Sequence, residues 1–170
     1  MVVELADREA IRHCLMRYCR GIDRLDRELL DSVYWPDATD DHIIYSGNAG
    51  GFINFVIDVL SQLDQTQHLV GNVLIDMSGP DMASSESVFQ AFHRLPGADG
   101  ASDLFVGGRY VDRLEKRNDE WRILVRTVII DWFRSYPDSG EFSEKPMGMD
   151  TQPGGRKPDD RSYRLMALHS

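Results

Sequence analysis

The spacing of apolar residues changes once along this chain, and that change limits the fold more than any other feature. Between Asp7 and Ile22, Ile11, Leu15, Tyr18 and Ile22 recur at spacings of four, three and four, which is one face of a helix. Asp26 is placed to cap a second short helix, RELLDSVY, with Leu29, Leu30 and Val33 turned inward. Pro36 ends it, and the polar stretch DATDDH leads into a short strand, HIIYS. Gly47, Gly50 and Gly51 mark a loop before a third helix, whose apolar stripe is Phe52, Phe55, Val56, Val59, Leu60 and Leu63. From there on the period is two. His68–Met77, Met82–Arg94, Leu104–Lys116 and Trp121–Tyr136 each read as a strand, separated by turn signals at Ser78-Gly79-Pro80, Pro96–Gly100 and Asn118-Asp119.

Helices first and long strands afterwards is α+β order, not alternating βαβ. The expected architecture is a curved antiparallel sheet, a cone-like half-barrel packed on three N-terminal helices and enclosing one apolar pocket. The chain has 170 residues, which fits one domain with a sizeable core, read here as 1–136. Residues 137–170, rich in Gly, Pro, Asp and Ser, read as a loosely ordered tail able to pack on a neighbouring subunit.

Composition narrows the function classes. A net charge of −9 argues against nucleic acid or an anionic membrane as the main partner. No run approaches the roughly 20 apolar residues of a spanning helix, and the start lacks the apolar stretch of a secretory leader. Cys14 and Cys19, the only cysteines, stand about 140° apart around a helix. They are therefore expected as reduced core residues, and the protein as cytoplasmic.

Several polar residues interrupt these apolar faces. Tyr18 lies on the inward stripe of the first helix, where a phenol is either a core residue bonded to a backbone carbonyl or a hydrogen-bond donor to a ligand. Asp23 falls at the C-terminal end of that helix, against the negative end of its dipole. A hydrogen bond to a histidine, or exposure in a turn, would compensate. Alternation puts His68, Val70, Asn72 and Leu74 on one face, so that an imidazole and an amide punctuate an apolar wall. Arg126 shares a face with Val128, Ile130 and Trp132 and needs either a polar ligand or an ion pair, for example with Asp23 or Glu86. The acidic run Asp37, Asp40, Asp41 with His42 reads as a solvated loop, with no recognisable metal-ligand pattern. GGRYVDRLE is not a dinucleotide fingerprint, and the serine-nucleophile, phosphate-loop and HExxH motifs are missing.

Taken in order, AIRHCLMRYCRGIDRLD, YWPDA, TQHLVGNV, GGRYVDRLEKRNDEWRI and RTVIIDW resemble the SnoaL-like branch of the nuclear transport factor 2-like superfamily. The resemblance runs from about Ala6 to Tyr136 and leaves the tail uncovered. Within that branch the chain is similar to the bile-acid 7α-dehydratases, the hexachlorocyclohexane dehydrochlorinases and, more distantly, the scytalone dehydratases, which are cofactor-free lyases. The tyrosine, aspartate, histidine and arginine of the bile-acid enzymes fall on Tyr18, Asp23, His68 and Arg126. The dehydrochlorinases carry lysine in place of Tyr18, so the match implies loss of water. What the resemblance implies is a β-elimination on a cyclic apolar substrate such as a hydroxylated steroid or polyketide. His68–Asp23 would be the base dyad, with Asn72 and Trp132 lining the pocket, no cofactor or metal, and a homo-oligomer as the assembly. Two alternatives stay open: an isomerase resembling ketosteroid isomerase, and a small-molecule-binding module without chemistry.

Overall fold

Helix α1 (Val2–Arg24) buries its predicted stripe of Ile11, Leu15, Tyr18 and Ile22. The computed structural model describes residues 2–98, 100–138, 148 and 154–166. Cys14 and Cys19 are buried free thiols on the same helix, and burial pushes their pKa values up to about 11 and about 12. Helix α2 (Arg27–Asp31) starts as expected, with the Asp26 carboxylate accepting from the Leu29 N–H, and it turns Leu30 and Val33 inward.

The next segment departs from the sequence reading. Strand β1 (Tyr34–Asp41) runs through Pro36, and strand β2 is Ser46–Asn48, so the expected strand HIIYS is a turn followed by the start of β2. Pro36 is tolerated because the β1 pairing is irregular between Tyr34 and Thr39, where no ladder bond needs its missing N–H. Helix α3 (Ala49–Ser61) is capped by Asn48, and strands β3 (Gln65–Met77), β4 (Met82–Leu95), β5 (Ser102–Arg117) and β6 (Glu120–Pro137) follow. Asn118 and Asp119 both have positive φ, 51° and 64°, as a two-residue hairpin turn requires.

The sheet has six strands in the order β2-β1-β6-β5-β4-β3. It is mixed, not wholly antiparallel as expected, because β1 pairs with β6 in parallel. The parallel pair arises because the first strand docks on the edge left by the last one. Bulges bend the sheet over the helices: one at Asn72 in β3, and two in β6 at Leu124 and Asp131.

The backbone approach at Gly108 leaves no room for a side chain. A Cβ there would stand 2.2 Å from the Ile129 carbonyl oxygen and 3.0 Å from the Phe89 ring. Gly108→Ala should cost about 1–3 kcal/mol, read as a lower midpoint in thermal unfolding. An unchanged midpoint would mean that β5 and β6 can separate freely at that point.

The described tail, residues 154–166 with helix α4 (Ser162–Leu165), docks on the chain's own helices. Lys157 N–H donates to the Arg24 carbonyl, Tyr163 Oη to Asp26, and Arg156 to the Leu60 and Leu63 carbonyls. Among the described residues no helix is long and apolar enough to cross a membrane.

Candidate active site

Along the inner face of the sheet, side chains change character in layers. Leu114, Ile123 and Trp121 pack under α1 as solid core. The next layer is charged, with Arg126 opposite Asp112. Above it stand the rings of Tyr18 and Tyr110, and beyond them the space between sheet and α3 is open. This cavity has a volume of about 360 Å³ and is walled mainly by apolar groups, among them Ile22, Phe52, Val56, Leu60, Phe89, Val106 and Ile130. That volume lies at the low end of small-molecule sites.

Asp23 and His68 meet at its wall. His68 Nδ1 lies 2.7 Å from Asp23 Oδ1, and the His68 backbone N–H donates to Asp23 Oδ2 at 2.8 Å. Both carboxylate oxygens thus hold a single residue, and this compensates the aspartate for its place at the end of α1. With Nδ1 taken, Nε2 is the nitrogen left for the cavity that the ring lines. The two side chains are only 9% and 10% exposed.

Tyr18 lines the same cavity with its ring edge-on to Tyr34 and Tyr110. Burial pushes its phenol well above the usual range, so it is a neutral donor at physiological pH.

Arg126 is brought close to Tyr18 but lies beneath the cavity rather than on its wall. Its guanidinium carbon stands 4.0 Å above the Tyr18 ring and 4.3 Å above the Tyr110 ring. Nε and Nη2 each donate to Asp112 at 2.7 Å, with both side chains fully buried. Its ion-pair partner is therefore Asp112, not Asp23 or Glu86; Glu86 pairs with Arg109 instead.

Asn72 and Trp132, expected as pocket lining, lie outside the cavity wall. Asn72 is the extra residue of the β3 bulge, with φ 48°, and its side chain is exposed. The bulge reverses the alternation after it, so Val73 and Ile75 face inward while Leu74 is 71% exposed. In β6 the bulge at Asp131 does the same to Trp132, which leaves the face of Val128 and Ile130 and lies over Gly107. A strictly alternating reading cannot see a one-residue insertion.

Two further sets were missed. His93 lines the cavity beside His68, their rings 5.3 Å apart and perpendicular, and its Nδ1 is buried without a partner among the described residues. Its alternation with Phe89 and Ala91 along β4 was the available signal. Burial, then the neighbouring His68, hold its pKa down at about 4. An unfolded histidine takes its proton near pH 6.5, so the unfolded chain binds more protons between pH 6.5 and 4 and stability falls as pH drops through that window. His93→Leu should remove this component. Between pH 7 and 5, urea unfolding of that variant should lose up to about 2 kcal/mol less stability than wild type. Equal losses would place His93 in water.

The other missed set is Asp40 with His42, expected as solvated loop. Asp37 does sit at the surface, bonded to Arg117, and Asp41 is exposed. Asp40, however, is buried, and His42 lines the cavity with its ring stacked on Phe52. Just beyond, Ile43 stands at φ 66°, an uncommon conformation for a β-branched residue. The turn is closed by Ile44 N–H to the His42 carbonyl at 2.6 Å and projects two exposed isoleucines at the cavity mouth. Among the described residues no three metal-ligating side chains converge.

This mixed sheet backed by N-terminal helices is the fold of a known family. Residues 3–127 match the SnoaL-like domain, and the chain belongs to that family, within the nuclear transport factor 2-like superfamily. An uncharacterised protein of Mycobacterium tuberculosis is 32% identical over 129 residues, covering 74% of this chain and 86% of that protein. Among solved structures, a type 2 hexachlorocyclohexane dehydrochlorinase superposes with a TM-score of 0.72 at 20% identity, over 82% of this chain and 94% of that one. A presumed scytalone dehydratase of Novosphingobium aromaticivorans gives 0.72 at 19% identity, over 92% and 99% of the two chains. At such identities these two likenesses establish the fold.

Proposed function

We propose that this protein is a cofactor-independent lyase that removes water from a cyclic, largely apolar substrate such as a hydroxylated steroid or polyketide ring. One observation carries the reading: a buried aspartate holds His68 by both its ring and its backbone, at the wall of a cavity otherwise lined mainly by hydrocarbon. Asp23 fixes the imidazole with its Nδ1 proton toward the carboxylate, so Nε2 is a base for a carbon-bound proton made acidic by an adjacent carbonyl. Tyr18, a neutral phenol on the same cavity, donates to the enolate oxygen that develops. Arg126 does not touch the substrate in this scheme. Its charge acts through the Tyr18 ring above it and favours negative charge on that oxygen.

The similarity to dehydrochlorinase and dehydratase folds supports elimination over binding alone, and Tyr18, where the resemblance implies lysine in the dehydrochlorinases, supports water as the leaving group. The expected association of copies would use the outer sheet face, where Val88, Phe105, Ile129 and Trp132 are exposed.

The test is incubation with β-hydroxylated ring ketones, read by mass. A product lighter by one water supports the lyase. A product of unchanged mass with a migrated double bond makes the protein an isomerase, and tight binding with no product makes it a carrier.

A further inference from the structure

The cavity carries a second imidazole–carboxylate pair that the scheme above does not use. Asp40 Oδ1 lies 2.9 Å from His42 Nδ1, and Asp40 Oδ2 accepts from Tyr34 Oη at 2.6 Å. The parallel register of β1 on β6 sets Asp40 beside Arg126, which faces Asp112 on its other side. Three charged residues therefore cross the sheet in one row. Arg126 directs both Nε and Nη2 to Asp112, and the side chains bonded to Asp40 are those of His42 and Tyr34. The row of two carboxylates and one guanidinium is neutral once His42 carries two ring protons. Nδ1–H is then held by Asp40, and the ring is clamped on Phe52 at 4.5 Å between centroids. Nε2–H is the proton left for a ligand in the cavity that His42 lines.

We propose that His42, oriented by Asp40 and Tyr34, is the acid that protonates the departing oxygen while His68 takes the proton from carbon. This rests on the elimination reading and completes it, because hydroxide is a poor leaving group and needs a proton as it goes. The electron pair of the broken C–H bond becomes the new C=C bond. The pair of the broken C–O bond leaves with oxygen, which takes the His42 Nε2 proton and departs as water. His68 ends with one proton more and His42 with one fewer, and exchange with solvent restores both. Tyr18, the weaker acid, keeps its proton and stays on the carbonyl oxygen.

The probes are cyclohexanone-based ketones with one or two fused rings, bearing a β-hydroxyl or, in a matched set, a β-acetoxy group. In deuterated water, NMR follows exchange of the α-proton, and mass follows loss of the β-substituent. His42→Gln should slow water loss about 10²-fold or more, leave α-proton exchange near wild type, and leave loss of acetate within about threefold, since acetate departs unprotonated. His42→Asn, whose amide can keep a bond to Asp40, should give the same pattern if the glutamine variant folds poorly. His68→Ala should lower all three rates. Wild-type water loss by a folded His42 variant overturns the proposal and leaves the His68 reading intact. Equal loss of all three rates in both variants reduces His42 to a structural residue and overturns it as well. No water loss by wild type on any probe, with isomerised ketone formed instead, overturns the elimination reading and this inference with it.

Discussion

His68→Ala should reduce turnover about 10²–10⁴-fold, the usual contribution of a positioned base, without unfolding the protein. The fold survives because Asp23 Oδ2 binds the backbone N–H of residue 68, which alanine retains. Asp23→Asn should fall nearly as far for a different reason. The asparagine oxygen can still accept from that backbone N–H, but its NH₂ then faces Nδ1. The imidazole must accept there and carry its proton on Nε2, where it no longer serves as a base in the cavity. Thermal midpoints close to wild type, with turnover lost in both variants, is the expected result. Activity retained by either variant removes the dyad from the mechanism.

The largest stability effect is expected at Asp112. Its carboxylate and the Arg126 guanidinium are both fully buried, so Asp112→Asn leaves a guanidinium without its bidentate partner in the interior. Breaking a buried pair on one side costs about 3–5 kcal/mol. Removing both charges, as in Asp112→Leu with Arg126→Met, should cost less than the sum of the two single changes, because neither variant residue leaves an orphan. Urea unfolding of the two singles and the double measures this directly. Additive losses would mean that the pair is solvated in the native state.

The helices were legible because burial writes a regular period into sequence: Ile11, Leu15, Tyr18 and Ile22 are all inside, as spaced. The long strands were legible for the same reason. What alternation cannot carry is a bulge. Asn72 and Asp131 each add one residue, and everything beyond them changes face, which is why Asn72 and Trp132 were expected in a cavity that neither reaches. The parallel β1–β6 pair was hidden too, since nothing local in Tyr34–Asp41 announces a partner about ninety residues away. That same pairing draws Asp40 out of an acidic run and buries it, with His42 following into the cavity. Composition alone made the run look solvated. Tyr18, Asp23 and His68 stood out because each broke an apolar or electrostatic rule of its own element, and the structure places Tyr18 and His68 on one cavity with Asp23 bonded to His68.

In the proposed reaction His68 removes a carbon-bound proton and oxygen leaves from the neighbouring carbon. An α-deuterated β-hydroxy ring ketone tests it in one measurement, the mass and rate of product formation against the protiated compound. Elimination through His68 yields a product that has lost both the deuteron and the hydroxyl, formed more slowly than from the protiated ketone, with Asp23→Asn nearly inactive on either. A product that keeps the hydroxyl, or one formed equally fast by wild type and Asp23→Asn, would contradict it.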